Sequence, residues 1–177
     1  MLNTLTRWFE WLLEVASIIL LISLALVVVL AVIFRFSGSS LVWYDEVASV
    51  QLAWLSYYGA ALAALKRGHL GFAGLFLALP MQIRSVAFVL AEVFVIGFFL
   101  VIGYGGWHLL GVFGDETLIS LPWLPLSVTQ SVIPVGAGLF IIAEIFSIPD
   151  AWRKAIAGSD FEKEAIEEAI EEARQSA

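Results

Sequence analysis

The stretch that decides the fold is Val15–Phe34, which reads VASIILLISLALVVVLAVIF. It holds 20 consecutive uncharged residues and is followed by Arg35. An α-helix of this length reaches about 30 Å, the thickness of the hydrocarbon core of a bilayer. Its end lacks the small residues of a signal-peptide cleavage site. We therefore predict a first membrane-spanning helix that remains in the protein as a signal anchor.

Three further apolar stretches follow this run. Val47–Leu65 and Thr117–Ala143 are uncharged throughout. Ser85–Gly114 is interrupted only by Glu92 and His108. Each is long enough to cross a bilayer as a helix. The sequence therefore predicts an all-α integral membrane protein with four transmembrane helices, at about residues 12–35, 45–66, 85–109 and 121–146.

Proline residues shape the predicted fourth span. Its beginning, Leu121–Pro125, reads LPWLP and is typical of an entry segment with a tryptophan at the membrane interface. Pro134 falls in the middle of the predicted span. A proline inside a helix removes a backbone hydrogen bond, so we expect a kink at this position.

The composition excludes several classes of protein. Hydrophobic residues make up 61% of the chain and charged residues 14%, whereas soluble domains are about 25% charged. The absence of cysteine excludes disulfides, thiolate nucleophiles and iron–sulfur clusters. The net charge of −7 comes mostly from residues 158–177, which hold seven acidic and two basic residues. No basic stripe indicates nucleic-acid binding.

Two stretches outside the spans are amphipathic. Residues 2–11 carry apolar side chains at helical spacing. Residues 69–83 are too short to span and include Gly71, Gly74 and Pro80. Both are predicted to form interfacial helices that lie as horizontal arms on the membrane surface. The acidic segment 151–177 is predicted as a cytoplasmic C-terminal helix or tail.

The basic residues indicate the orientation of the chain. Lysine and arginine are enriched in cytoplasmic loops of membrane proteins. With four spans and the N-terminus inside, one side carries only Arg35 near the membrane. The cytoplasmic side carries six basic residues, which are Arg7, Lys66, Arg67, Arg84, Arg153 and Lys154. Both termini are therefore predicted to be cytoplasmic.

The two histidines raise the alternative of a haem-binding membrane anchor for a respiratory oxidoreductase. The predicted topology places His69 and His108 near opposite faces of the membrane. They therefore cannot bind one iron within this chain. Two haems, each completed by another subunit, stay open as an alternative.

Two acidic residues inside predicted spans raise a second alternative. Intramembrane acids are costly and by default mark function or a buried partner. Glu92 and Glu144 are therefore compatible with a small proton-coupled exporter. The favoured interpretation is that these acids snorkel to the interface or pair with Lys66, Arg67 or a neighbouring subunit.

The order of residues around the second span resembles a known family. Arg35 ends the first span, and Trp43-Tyr44-Asp45-Glu46 opens the second. Trp54, Gly59 and Lys66-Arg67-Gly68-His69 follow, ahead of the amphipathic stretch. This order resembles the small membrane subunit, or DctQ-like Q subunit, of tripartite ATP-independent periplasmic (TRAP) transporters. The resemblance covers residues 1–150. The family often has two glutamates where this chain has Asp45-Glu46.

The resemblance implies a transporter with three parts. These are a periplasmic substrate-binding protein (P), a large membrane subunit (M) that works as an elevator, and the small subunit. The small subunit is expected to be a scaffold in the bacterial inner membrane. The transporter is expected to take up a small carboxylate, such as a C4-dicarboxylate or sialic acid, driven by sodium. Such a chain is not an enzyme, needs no cofactor or metal, and binds neither substrate nor nucleic acid itself.

Candidate interface residues come from the segment that resembles the family and from two further observations. Glu92 and Glu144 are candidates because of the cost of acids inside a span, and Asp115 and Glu116 because of their position in an outer loop. Those for the scaffold or subunit interface are Arg35, Trp43, Asp45, Glu46, Trp54, Gly59, His69, Glu92 and Glu144. Those for docking of the binding protein are Asp115 and Glu116, in the loop between the third and fourth spans. None is expected to be catalytic, to bind substrate or to bind a metal.

Overall fold

The helices of the chain are defined in a computed structural model, which describes residues 2–67, 79–114, 116–157 and 174. This part of the chain contains no β-strand, and its one isolated bridge joins Thr117 to Pro125. The helices are α1 (Leu2–Phe36), α2 (Tyr44–Leu65), α3 (Met81–Phe113), α4 (Leu126–Gln130) and α5 (Val132–Ala157). The predicted all-helical class is confirmed.

Four segments are long and apolar enough to cross a membrane. They are Thr4–Phe36, Tyr44–Leu65, Met81–Phe113 and Leu126–Ile156, of which the last includes α4 and α5. The first is the most apolar and the second the least. The predicted number of helices that are long and apolar enough to span a membrane is therefore confirmed.

The helix α1 is continuous from the N-terminal residues into the first span. Its 35 residues correspond to about 52 Å, well beyond the roughly 30 Å of a bilayer core. The arm predicted at residues 2–11 is therefore the first part of α1 and not a separate helix. Its position on the membrane surface stays a prediction.

The helix α3 begins earlier than the third predicted span. Pro80 precedes it in an extended conformation, and the Pro80 carbonyl accepts a hydrogen bond from the Arg84 N–H at 2.9 Å. The first turn of α3 includes residues 81–83, which the sequence analysis assigned to the second arm. Leu79 and Pro80 are not helical, and residues 69–78 of that arm lie outside the described residues.

The helix of the fourth apolar segment is interrupted just before Pro134. A proline has no N–H to donate to the carbonyl four residues before it, which here belongs to Gln130. Accordingly α4 ends at Gln130, Ser131 is a turn residue, and α5 begins at Val132. Pro134 therefore lies in the first turn of α5, where proline is tolerated. The kink expected at Pro134 corresponds to this interruption of the helix at Ser131.

The end of α5 reaches into the segment assigned to the acidic tail. Residues 151–157 continue this helix, and Ala151 and Ala155 are buried. Among the remaining tail residues only Arg174 is described, as helical and exposed. The predicted cytoplasmic tail helix otherwise lies outside the described residues.

The four long helices pack side by side in the order α1, α2, α5, α3. Gly136 of α5 allows the closest approach to α2, because a Cβ there would lie 2.5–2.6 Å from Tyr57 atoms. Gly106 of α3 contacts Ile133 and Pro134 of α5 in the same way. The buried core cluster consists of Leu13, Ala61, Ala64, Phe140 and Ala143.

Consecutive long helices run in opposite directions, so the molecule has two ends. The first we call the Lys66 end, where α2 and α5 finish and α1 and α3 begin. The second we call the Glu46 end, where α2 begins and residues 116–125 lead from α3 to α4. Leu2, where α1 begins, and Ala157, where α5 ends, both belong to the Lys66 end.

Candidate functional site

Three charged side chains from different elements meet near the Lys66 end. Arg67 follows α2, Glu92 lies on α3, and Glu144 lies on α5. One atom, Arg67 Nη1, lies 2.6 Å from Glu92 Oε1 and 3.0 Å from Glu144 Oε1. We call these residues the Arg67 triad. It explains why two acids are found inside apolar helices, since both pair with one cation.

The backbone at Arg67 directs its side chain into the helix packing. Lys66 caps the end of α2, and Arg67 then adopts a φ of 51°. This left-handed conformation after a helix usually belongs to glycine, since a Cβ is disfavoured there. The Arg67 guanidinium also lies 5.8 Å from the centre of the Phe88 ring on α3. An ion pair and a cation–π contact therefore accompany an unusual backbone conformation.

Lys66 points to a different helix from its neighbour. Its ammonium lies 3.1 Å from Glu10 Oε1 and 2.5 Å from Glu14 Oε1, both on α1. Hydrogen bonding to Glu14 raises the pKa of Lys66, because the charged ammonium is the better donor. Two consecutive residues thus connect the end of α2 to the three other long helices. Lys66 reaches α1, and Arg67 reaches α3 and α5.

Glu46 connects different elements at the Glu46 end, as Lys66 and Arg67 do at the Lys66 end. Its carboxylate accepts hydrogen bonds from the backbone N–H groups of Ile119, at 3.2 Å, and Ser120, at 3.0 Å. The Ser120 hydroxyl donates a further short hydrogen bond to it. The loop is also joined within itself, since Leu126 donates to the Glu116 carbonyl at 2.8 Å. Glu46 therefore fixes the loop between the third and fourth spans to the start of α2.

A polar contact also links α1 and α2 between the two ends. The side-chain N–H of Gln51 donates to the Ser23 hydroxyl at 3.0 Å, and that hydroxyl donates to the Leu20 carbonyl at 3.0 Å. Interhelical hydrogen bonds of this kind hold helices together where the surroundings are apolar. It adds to the ion pairs that join α1 to α2.

The other candidate residues occupy varied positions. Arg35, Asp45 and Glu116 are exposed, and Trp43 precedes α2 and is partly buried. Trp54 lies beside Tyr58, with ring centres 5.9 Å apart. His69 and Asp115 lie outside the described residues. The structure thus brings together Glu92 and Glu144 but does not gather the full candidate set into one site.

Gly59 faces open space within this chain. A Cβ at Gly59 would have no heavy atom within 4 Å. The close helix contacts are made instead by Gly136 and Gly106, which the candidate set did not include. No sequence signal separates these glycines from Gly59, because all lie in apolar helices. Their roles depend on which helices become neighbours.

The candidate set also omitted residues that complete the ion pairs. The sequence indicated Lys66 and Arg67 as basic residues of the cytoplasmic side, as part of the segment that resembles the family, and as possible partners of Glu92 and Glu144. Glu10 and Glu14 carried a usable signal, because acids spaced at i and i+4 share one helix face. Ser120 carried no usable signal in the sequence, because serine is a common residue in loops. Among the described residues, no group of three histidine, cysteine or acidic side chains could hold a metal ion.

This arrangement is suited to holding helices together. Residues 24–154 match the family described as tripartite ATP-independent periplasmic transporters, DctQ component. The chain belongs to the DctQ family. No curated protein matches the sequence at a significant level. The DctQ match begins within α1 and ends within α5, so it includes the Arg67 triad and Glu46 but not Glu10 and Glu14.

The family membership confirms the resemblance seen in the sequence. A DctQ protein is a component of a transporter and not an enzyme. Such components work with a large membrane subunit and a periplasmic binding protein. The four apolar helices agree with a multi-pass membrane protein. The alternative of a haem-binding oxidoreductase anchor has no support from this family.

Proposed function

We propose that this chain is the small permease subunit of a TRAP transporter and acts as a rigid scaffold for the large membrane subunit. The large subunit would move as an elevator and, with a binding protein, take up a small carboxylate driven by sodium. The observation that carries the scaffold role is the pair Lys66-Arg67, which connects the end of α2 to α1, α3 and α5.

Ion pairs within the chain engage the acidic side chains of the helices, and this favours a scaffold over a substrate pathway. Glu10, Glu14, Glu92 and Glu144 all form ion pairs with Lys66 or Arg67. A transporter that works alone usually needs polar groups at the membrane midplane, often on broken helices. Here α1, α2 and α3 are uninterrupted helices. The fourth segment is interrupted at Ser131, but no charged residue lies beside this interruption. The proton-coupled exporter is therefore the weaker reading of Glu92 and Glu144.

The outer surface of the helices favours a partner within the membrane. Large apolar side chains are exposed along α3, including Phe94 at 75% and Val101 at 71%. Apolar surface of this extent must face lipid or another apolar protein surface. A large membrane subunit provides such a surface. Arg35, Trp43, Asp45, Trp54, Gly59 and His69 remain the proposed residues at or near that interface.

The distribution of basic residues supports a cytoplasmic Lys66 end. The described helices and their flanks carry Arg7, Lys66, Arg67, Arg84, Arg153 and Lys154 toward this end, and Arg35 toward the Glu46 end. This bias is typical of an inner-membrane protein with both termini in the cytoplasm. The loop that Glu46 fixes would then face the periplasm. There Asp115 and Glu116 would be available to the binding protein.

Reconstitution of the transporter tests the proposal. The large subunit and the binding protein are incorporated in proteoliposomes with and without this chain, and uptake of a panel of small carboxylates is measured with an inward sodium gradient. We expect uptake only when this chain is present, and none with potassium replacing sodium. Full uptake without this chain would contradict the scaffold role.

A further inference from the structure

The Arg67 triad contains one more acid than base. Arg67 contributes one positive charge, and Glu92 and Glu144 contribute two negative charges if both are ionised. The acids of α1 do not alter this balance, because Glu10 and Glu14 pair with Lys66. Among the described residues, the charged groups that face Glu144 are Arg67 and Glu92. A fully ionised triad would therefore leave one uncompensated negative charge.

The carboxyl groups are too enclosed to keep that charge at low cost. The side chain of Glu144 is 6% exposed and that of Glu92 is 12% exposed. An unpaired carboxylate in an apolar interior is strongly disfavoured, and such groups normally become neutral by taking up a proton. The membrane around the helices offers no solvent to replace the missing counter-charge.

The geometry indicates where a proton would be held. Both Oε1 atoms meet the same nitrogen of Arg67, so the two carboxyl groups lie side by side. Their Oε2 atoms are buried and have no hydrogen-bond partner among the described residues. Two carboxyl groups that share a site favour a state with one proton between them. We propose that Glu92 and Glu144 bind one proton jointly, so that the triad is neutral.

Infrared spectroscopy of the full chain tests for this proton. The protein is purified in a maltoside detergent, which has no ester carbonyl, and spectra are recorded at neutral pH in H₂O and D₂O. We expect a carboxylic-acid C=O band that shifts in D₂O. We expect Glu92→Gln and Glu144→Gln each to remove the whole band, because the remaining carboxylate then pairs with Arg67 alone. The control Glu116→Gln, at an exposed loop residue, should leave the band unchanged.

Two results of the infrared experiment would overturn the proposal. The first is the absence of an acid band from the wild-type protein. That result would mean that a metal cation or a basic group takes the place of the proton. The second is a band that survives either single glutamine substitution, which would place the proton on one carboxyl group independently of the other.

Thermal unfolding of the same variants gives a second test. A neutral glutamine in place of either acid keeps the triad neutral, so we expect each single variant to unfold near the wild-type temperature. The double variant Glu92→Gln/Glu144→Gln leaves Arg67 without an anion, and we expect a clearly lower unfolding temperature. Single variants that lose as much stability as the double variant would show that one carboxylate paired with Arg67 does not maintain the triad, and would contradict the shared proton.

Discussion

Arg67 combines an unfavourable backbone conformation with a central set of contacts. A left-handed conformation costs a non-glycine residue about 1–2 kcal/mol relative to its usual conformations. The same backbone position aims the guanidinium at Glu92 and Glu144, whose neutralisation requires a nearby cation. We infer that the contacts of the Arg67 side chain stabilise the fold by more than its backbone conformation costs. Substitution of Arg67 therefore tests the packing of the helices around it.

Replacing Arg67 with glycine separates these two effects. Arg67→Gly relieves the backbone but leaves two enclosed carboxyl groups without their cation. Removing one partner of a buried ion pair typically costs about 3–5 kcal/mol, which exceeds the relief. We expect a lower unfolding temperature in detergent, with a smaller loss for Arg67→Lys, which keeps the charge. A more stable Arg67→Gly protein would show that the backbone conformation of Arg67 costs more free energy than its side-chain contacts contribute.

Glu46 gives a second test at the level of one residue. Glu46→Ala removes the acceptor for the N–H groups of Ile119 and Ser120. Hydrogen bonds to charged groups are worth about 1.5–3 kcal/mol each, so the loop should open more often. We expect faster hydrogen exchange at these two amides, measured by mass spectrometry.

The neighbouring acid supplies the control for this experiment. Asp45 also lies in the first turn of α2, but its side chain is exposed. Asp45→Ala removes an acid from the same turn without touching the loop, so exchange at residues 119–120 should match wild type. Equal acceleration in both variants would attribute the effect to the helix end and not to the Glu46 contacts.

At the level of the helices, the closest contact is between α2 and α5 at Gly136. A methyl group there would lie 2.5–2.6 Å from atoms of Tyr57, including its Cβ, which cannot move without the backbone. Overpacking of this kind typically costs about 1–3 kcal/mol. We expect Gly136→Ala to lower the unfolding temperature.

Gly138 is the matched control on the same helix. A methyl group at Gly138 would meet no heavy atom within 4 Å. Alanine is also the better helix former by about 1 kcal/mol, so Gly138→Ala should be neutral or slightly stabilising in detergent. Similar losses for the two variants would contradict the close approach of α2 and α5.

The sequence predicted the four spanning helices because uncharged runs of membrane length have few other structures available to them. It did not predict the helix ends as well. Charges such as Glu14 and Arg84 end an uncharged run without ending a helix, so α1 and α3 extend past them. Conversely, the uncharged run at 117–143 is not one helix, because Pro134 removes the bond that would join α4 to α5.

The contacts between helices were only partly accessible from the sequence. The cost of an intramembrane acid predicted that Glu92 and Glu144 need a partner, and Lys66 and Arg67 were among the possibilities. The choice of Arg67 depends on its left-handed backbone and on the neighbourhood of α3 and α5. Neither is encoded in a local pattern. The bond from Glu46 to Ser120 spans more than 70 residues and had no local signal.

At the level of the whole molecule, the proposed orientation can be tested by cysteine labelling. The natural chain has no cysteine, so each introduced one reports without background. Ser40 is exposed at the Glu46 end and Gln82 at the Lys66 end. We expect a membrane-impermeant maleimide to label Ser40→Cys in spheroplasts, whereas Gln82→Cys should react only after the membrane is permeabilised. The reverse pattern would invert the topology.

The position of Lys66-Arg67 in the chain has a consequence for biosynthesis. A chain is made from its N-terminus, so these two cations enter the membrane region after Glu10 and Glu14 but before Glu92 and Glu144. When α3 and later α5 are inserted, each carries an acid that lipid alone would disfavour. Arg67 has been synthesised before either of these helices, so each acid has a counter-ion available in the part of the chain that precedes it. The order of residues along the chain therefore allows the helices to be inserted one after another with a counter-ion available for each acid.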